Sequence, residues 1–196
     1  VLFRSGGSSG VGRAIAVALA ARGARVLATA RRGDRLERLA AEAAAVGGGR
    51  IVPLAGDITR PAFRRELVAR AVQEFGGLDL LVAAAGSGAI GGFAASSPEM
   101  LARIVDVDFT APAELVRECL PALRAGRDPA IVLVGSILGY HPLPLHSEYC
   151  AAKAALRSLA GCLRMELAAE GIGVLLASRS EEHTSELQSR QYLVCR

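Results

Sequence analysis

The sequence predicts an open α/β fold: a doubly wound parallel sheet with helices on both faces. Three observations predict it. Short apolar runs alternate with segments of helical periodicity along most of the chain, the pattern of βαβ units. A glycine-rich stretch, Gly6-Gly-Ser-Ser-Gly10-Val-Gly12, opens a helical run near the start. Farther on, the apolar run at residues 130–134 ends close to Ser136, and Tyr149 and Lys153 follow on a helix. The chain has 196 residues, 52% hydrophobic and 21% charged, which suits one globular domain with a sizeable core.

Each element has a local reason. Gly6, Gly10 and Gly12 allow a tight backbone turn, and a helix amino terminus behind them favours a phosphate. Ser8, Ser9 and Val11 complete that candidate loop. The strand that ought to precede it is expected to be missing, with only Val1-Leu2-Phe3 available to stand in. Residues 24–30 read as the next strand, and it runs into Arg31 and Arg32. Residues 34–46 read as an amphipathic helix with Leu36, Leu39, Ala40 and Ala43 on one face, stopped by Gly47-Gly48-Gly49. Residues 51–55 form a short strand followed by Asp57 and Ile58. Asp57 suits either a ligand contact or a cap on the helix that starts near Pro61. Residues 63–75 are helical, and residues 78–86 form a buried strand ending at Gly86. Residues 98–123 read as one long helix interrupted at Pro112, residues 147–169 as an alanine-rich helix, and residues 172–177 as a last strand.

Tyr149 and Lys153 are four residues apart, so they share a helix face one turn apart. An ammonium near a phenol favours the phenolate, which lets tyrosine move protons near neutral pH. Lys153 is the chain's only lysine, among many arginines. Ser136, thirteen residues before Tyr149, falls at the carboxyl end of a strand, where open α/β sheets bind ligands.

This combination resembles the short-chain dehydrogenase/reductases, over a span from Gly6 to about Ser178. The resemblance implies a Rossmann-type fold and makes Tyr149 the general acid/base. It implies that Lys153 lowers the tyrosine pKa and binds the nicotinamide ribose, and that Ser136 polarises the substrate carbonyl or hydroxyl. It places cofactor contacts at Gly6, Ser8, Ser9, Gly10, Val11, Gly12, Arg31, Asp57, Ile58, Ala85, Gly86, Tyr149 and Lys153. A cation at Arg31 suits a ribose 2′-phosphate, so NADP is expected over NAD. The implied activity is hydride transfer between the nicotinamide and a carbonyl or alcohol. Two departures stand out. Ala83-Ala84-Ala85-Gly86 replaces the family's Asn-Asn-Ala-Gly, and Asp108 stands where an asparagine holds a relay water. They motivate the alternatives of a non-catalytic dinucleotide-binding regulator of the same fold, or a chain inactive as written.

The formal charge of +4 is spread over scattered arginines, which argues against nucleic acid. The four cysteines show neither metal spacing nor a disulfide framework. With no signal peptide and no long apolar run, a cytoplasmic location with no membrane partner is expected. The resemblance implies a homodimer or homotetramer. His141 and His146 lack metal-spaced partners and read as exposed loop residues, with a place on a substrate pocket as the alternative. Residues 1–5 and 179–189 read as one sequencing adapter translated on opposite strands, and residues 191–196 as further read-through. The native domain is therefore expected at residues 6–178, flanked by artefact at residues 1–5 and a disordered artefact at residues 179–196.

Overall fold

The computed structural model describes the backbone of residues 2–5 and the chain from 10 to 179. The expectations placed on Gly6, Ser8 and Ser9, and on the tail from residue 180, fall outside the described residues. In chain order the elements are β1 (Leu2–Ser5), α1 (Gly10–Ala20), β2 (Arg25–Ala30), α2 (Gly33–Val46), β3 (Arg50–Ala55) and α3 (Pro61–Phe75). They continue as β4 (Leu80–Ala83), α4 (Pro98–Val105), α5 (Ala111–Arg124), β5 (Ala130–Ser136), α6 (Ser147–Glu166) and β6 (Gly173–Arg179). All strand pairs are parallel, in the order β3-β2-β1-β4-β5-β6. The order reverses at β1 and β4, and the crevice beyond the strands' carboxyl ends at such a point is where this architecture binds ligands.

The sheet is buried on both faces, so its strands read as apolar runs rather than as alternating ones. Along β2, Val26 and Ala28 join Ala16, Leu36, Leu39 and Ile51 on the α1 and α2 face. Leu27, between them, joins Leu67, Leu81, Leu115, Ile131 and Leu156 on the face of α3, α5 and α6. That two-residue alternation is the strand's own period. Burial of each such leucine contributes about 1.5–3 kcal/mol. Cys119 lies in the second core, where burial, aided by the neighbouring Glu118 carboxylate, pushes its thiol up to about 12.

Four expectations change. The central slot is filled by Leu2–Ser5, rather than by Val1 to Phe3, and this strand pairs with β2 on one side and β4 on the other. The strand at residues 78–86 is shorter, ending at Ala83 before a loop. The long helix is two helices joined by one π turn, Asp106–Thr110, upstream of Pro112. Proline has no N–H to give the Asp108 carbonyl. The chain adopts the wider turn, and the Ala111 N–H reaches the Asp106 carbonyl instead. The last strand also extends beyond its expected end, with Arg179 beside Ser136.

Candidate active site

A cleft of about 800 Å³ runs along the carboxyl ends of the strands. The sheet order sets what each part can offer. Gly10, Val11 and Gly12, the amino end of α1, line its middle, where unpaired backbone N–H groups and the helix dipole attract anions. Arg31, just after β2, and Asp57 and Ile58, just after β3, line one end. Ala85 and Gly86 after β4, with Tyr149 and Lys153 on α6, line the other. Five cationic side chains (Arg31, Arg32, Arg103, Lys153, Arg179) and two carboxylates (Asp57, Asp106) face this space, a balance that suits a polyanion.

Helix α6 is seated tightly. Gly139, in the turn after Ser136, lies so close that a Cβ there would come within 2.8 Å of the Lys153 carbonyl. That seat brings the lysine to the end of β5. Its Nζ donates to the Val134 carbonyl at 3.2 Å and lies 5.7 Å from the Tyr149 ring centre. It also faces Asp108 Oδ1 at 3.1 Å, as an ion pair rather than an aligned hydrogen bond. Asp108, fully buried within the π turn, accepts through Oδ2 from the Ser87 N–H at 2.9 Å and the Ser87 hydroxyl at 3.1 Å. π turns recur at functional sites. The carboxylate thus holds the lysine from behind the cleft, in place of the water-holding amide that the resemblance implies. Gly86 is constrained by the same pair, since a Cβ there would sit 3.0 Å from Asp108 Oδ1.

Ser136 is 2% exposed, accepts from the Leu138 N–H at 3.1 Å, and is not among the residues lining the cleft. Asp57 does not cap α3: Arg60 occupies the cap position without a side-chain bond. Asp57 Oδ1 instead accepts from the Thr59 N–H at 3.0 Å and the Thr59 hydroxyl at 2.8 Å. Burial pushes its carboxyl up, but those two bonds, with Arg31 and Arg60, outweigh burial and hold it below the ordinary carboxylate value. His146 is half-buried and lines the cleft, whereas His141 is exposed. Ser87, Arg103 and Asp106 belong to the site although no motif marks them. Ser87 meets Asp108 across 21 residues of chain, beyond the reach of any local periodicity. Among the described residues no helix is long and apolar enough to cross a membrane, and no group of three or more His, Cys, Asp or Glu could hold a metal ion.

Comparison with known proteins gives the same architecture a lineage. The profile of the family described as short chain dehydrogenase matches residues 2–184. A short chain dehydrogenase of Pseudocercospora fijiensis is 37% identical over 174 residues, covering 87% of this chain and 55% of that protein. The chain thus spans about half the length of that curated relative. A dehydrogenase/reductase from Sinorhizobium meliloti superposes with a TM-score of 0.87 at 31% identity, over 94% of this chain and 73% of that one. A 3-oxoacyl-(acyl-carrier protein) reductase from Brucella melitensis, solved in complex with NAD, gives 0.86 at 29% identity over 94% and 74%. An alcohol dehydrogenase from Thermococcus sibiricus, complexed with 5-hydroxy-NADP, gives 0.83 at 25% identity over 90% and 73%. The chain, with its parallel sheet in the order β3-β2-β1-β4-β5-β6, belongs to the short-chain dehydrogenase/reductase family of oxidoreductases.

Proposed function

We propose that this chain is the dinucleotide-binding and catalytic part of an NADP-dependent oxidoreductase that interconverts a carbonyl and an alcohol on a small molecule. The observation that carries the reading is a single cleft lined by the amino end of α1, Arg31, Tyr149 and Lys153. These residues fit the cofactor. Gly10 to Gly12 offer backbone N–H groups to a pyrophosphate, and Asp57 and Ile58 lie where an adenine would be met. Arg31 offers a cation to a ribose 2′-phosphate, and Ala85 and Gly86 admit close approach near the nicotinamide ribose. When bound, the nicotinamide supplies or accepts the hydride.

The protein's own residues handle the proton and the orientation. In reduction, Tyr149 gives its phenolic proton to the substrate oxygen, and in oxidation its phenolate takes that proton. Lys153 favours the phenolate electrostatically, while Asp108 and the Val134 carbonyl hold the ammonium in place. Ser136 accepts from Leu138 and so keeps its hydroxyl proton to donate to the substrate oxygen. Its role is supported by its place at the end of β5 rather than by the lining of the cleft. Fluorescence titration with NADPH and NADH tests the reading. NADPH is expected to bind at least about 10-fold more tightly, with Arg31→Ala removing most of the difference, the worth of a charged hydrogen bond. Equal affinities insensitive to Arg31 would refute the NADP assignment.

A second reading, a non-catalytic dinucleotide-binding regulator, is favoured by the placement of Ser136 off the cleft and by the carboxylate at Asp108. Turnover abolished by Tyr149→Phe would exclude it. A cytoplasmic location and a homodimer or homotetramer complete the proposal.

A further inference from the structure

Arg64, on α3, is a charged residue only 5% exposed that the chemistry above does not use. Its Nη1 donates to the carbonyls of Ile58 at 3.0 Å and Thr59 at 3.1 Å. Its Nε donates to Glu118 Oε1 on α5 at 3.2 Å. Stability alone does not account for this pair. Glu118 Oε2 is buried without a hydrogen-bond partner, and well-packed apolar residues generally replace a buried pair at no cost. What the pair does is fix a loop. The carbonyls it holds belong to residues that line the cleft with Asp57. Thr59 in turn holds the Asp57 carboxylate through its N–H and hydroxyl. One residue before Asp57, Gly56 lies so close on the Phe63 ring that a Cβ would collide with it. The loop follows β3, which is the edge of the sheet, so strand neighbours support it on one side only. Support comes instead from below, through Phe63 and Arg64. A continuous set of contacts therefore runs from Glu118 on α5, through Arg64, to the cleft wall farthest from Tyr149.

We infer that Arg64, anchored by Glu118, is a positioning residue for the adenosine half of the cofactor. By holding the Ile58 and Thr59 carbonyls it sets where Asp57 and Ile58 meet that half. The inference rests on the reading of the cleft as a nicotinamide-dinucleotide site.

The test uses the full chain with Arg64→Leu/Glu118→Leu, which removes both charges and leaves no buried ion unpaired. Arg64→Lys is the second variant, because an ammonium keeps the charge opposite Glu118 but lacks the planar fork. Calorimetric titrations use NADPH, 2′,5′-ADP as the adenosine half, and reduced nicotinamide mononucleotide as the other half. Both variants are expected to weaken NADPH and 2′,5′-ADP about 10-fold, the worth of one charged hydrogen bond. Mononucleotide affinity should change less than about 2-fold, and the double variant should melt within a few degrees of the parent. Parental affinity for 2′,5′-ADP in either variant overturns the inference while leaving the cofactor reading intact. Equal weakening of both half-ligands also overturns it, since that is global damage. A parent that binds neither NADPH nor 2′,5′-ADP overturns the inference together with the cofactor reading.

Discussion

Replacing Asp108 with leucine removes the countercharge from a lysine whose side chain is 4% exposed. Removing one partner of a buried ion pair costs about 3–5 kcal/mol, because the remaining charge is left uncompensated. The two Ser87 donors lose their acceptor as well. Ser87 is only half-buried, so water replaces much of that loss, and the total stays near about 4 kcal/mol. For a chain of this size each kcal/mol moves the melting temperature by roughly 2–4 °C, giving a fall of roughly 8–16 °C. Asp108→Leu/Lys153→Leu removes both charges and is expected to cost less, leaving no buried ion unpaired, although the Val134 carbonyl loses its donor and the two Ser87 donors lose their acceptor. Urea unfolding of the parent, both single variants and the double variant gives the coupling directly. A coupling of about 3 kcal/mol fits the pair as described. An Asp108→Leu cost below about 1 kcal/mol, or strictly additive single changes, would refute the view that this carboxylate holds Lys153 in place.

Other outcomes follow from the same geometry. Tyr149→Phe is expected to lower turnover by about 10²–10⁴-fold, the usual worth of a positioned general acid/base, with NADPH affinity nearly unchanged in a parallel titration. Gly86→Ala presses a Cβ to within 3.0 Å of Asp108 Oδ1. A destabilisation of about 1–3 kcal/mol should appear in denaturant unfolding, as for other overpacked sites. Asp57 titrates below its ordinary 3.8 in the folded chain, so on acidification the unfolded chain takes up that proton first. Its contribution to stability is complete above 3.8 and is lost as pH falls toward the lower folded value. Melting curves of Asp57→Asn should therefore lose less stability than the parent on acidification through that window.

Much of the site was readable because local periodicity carries it. Four residues on a helix put Tyr149 and Lys153 on one face, and the structure places both on the cleft. An apolar run ending near Ser136 located the carboxyl end of β5, and Leu36, Leu39 and Ala43 marked the buried face of α2. Where two local readings competed, the sequence could not choose. Asp57 had the chemistry of a cap and of a ligand contact, and the start of α3 at Pro61, with Arg60 in the cap position, excluded the cap. Pro112 announced an interruption in one long helix, but a missing N–H fixes only that one bond is lost. The π turn around Asp108 is the packing that absorbs the loss.

Alternation of strands and helices, continuous apolar strands, and the spacing of Gly10, Ser136, Tyr149 and Lys153 were thus set by the sequence itself, because each depends on residues within one or two turns or one strand. The tertiary structure decided the rest. It placed Leu2–Ser5 in the central slot, gave Lys153 a carboxylate from a segment 45 residues away, and joined Arg64 to Glu118 across 54. Such contacts have no period. They exist only once the parallel sheet has brought distant segments to one edge and excluded the water that would otherwise solvate their charges.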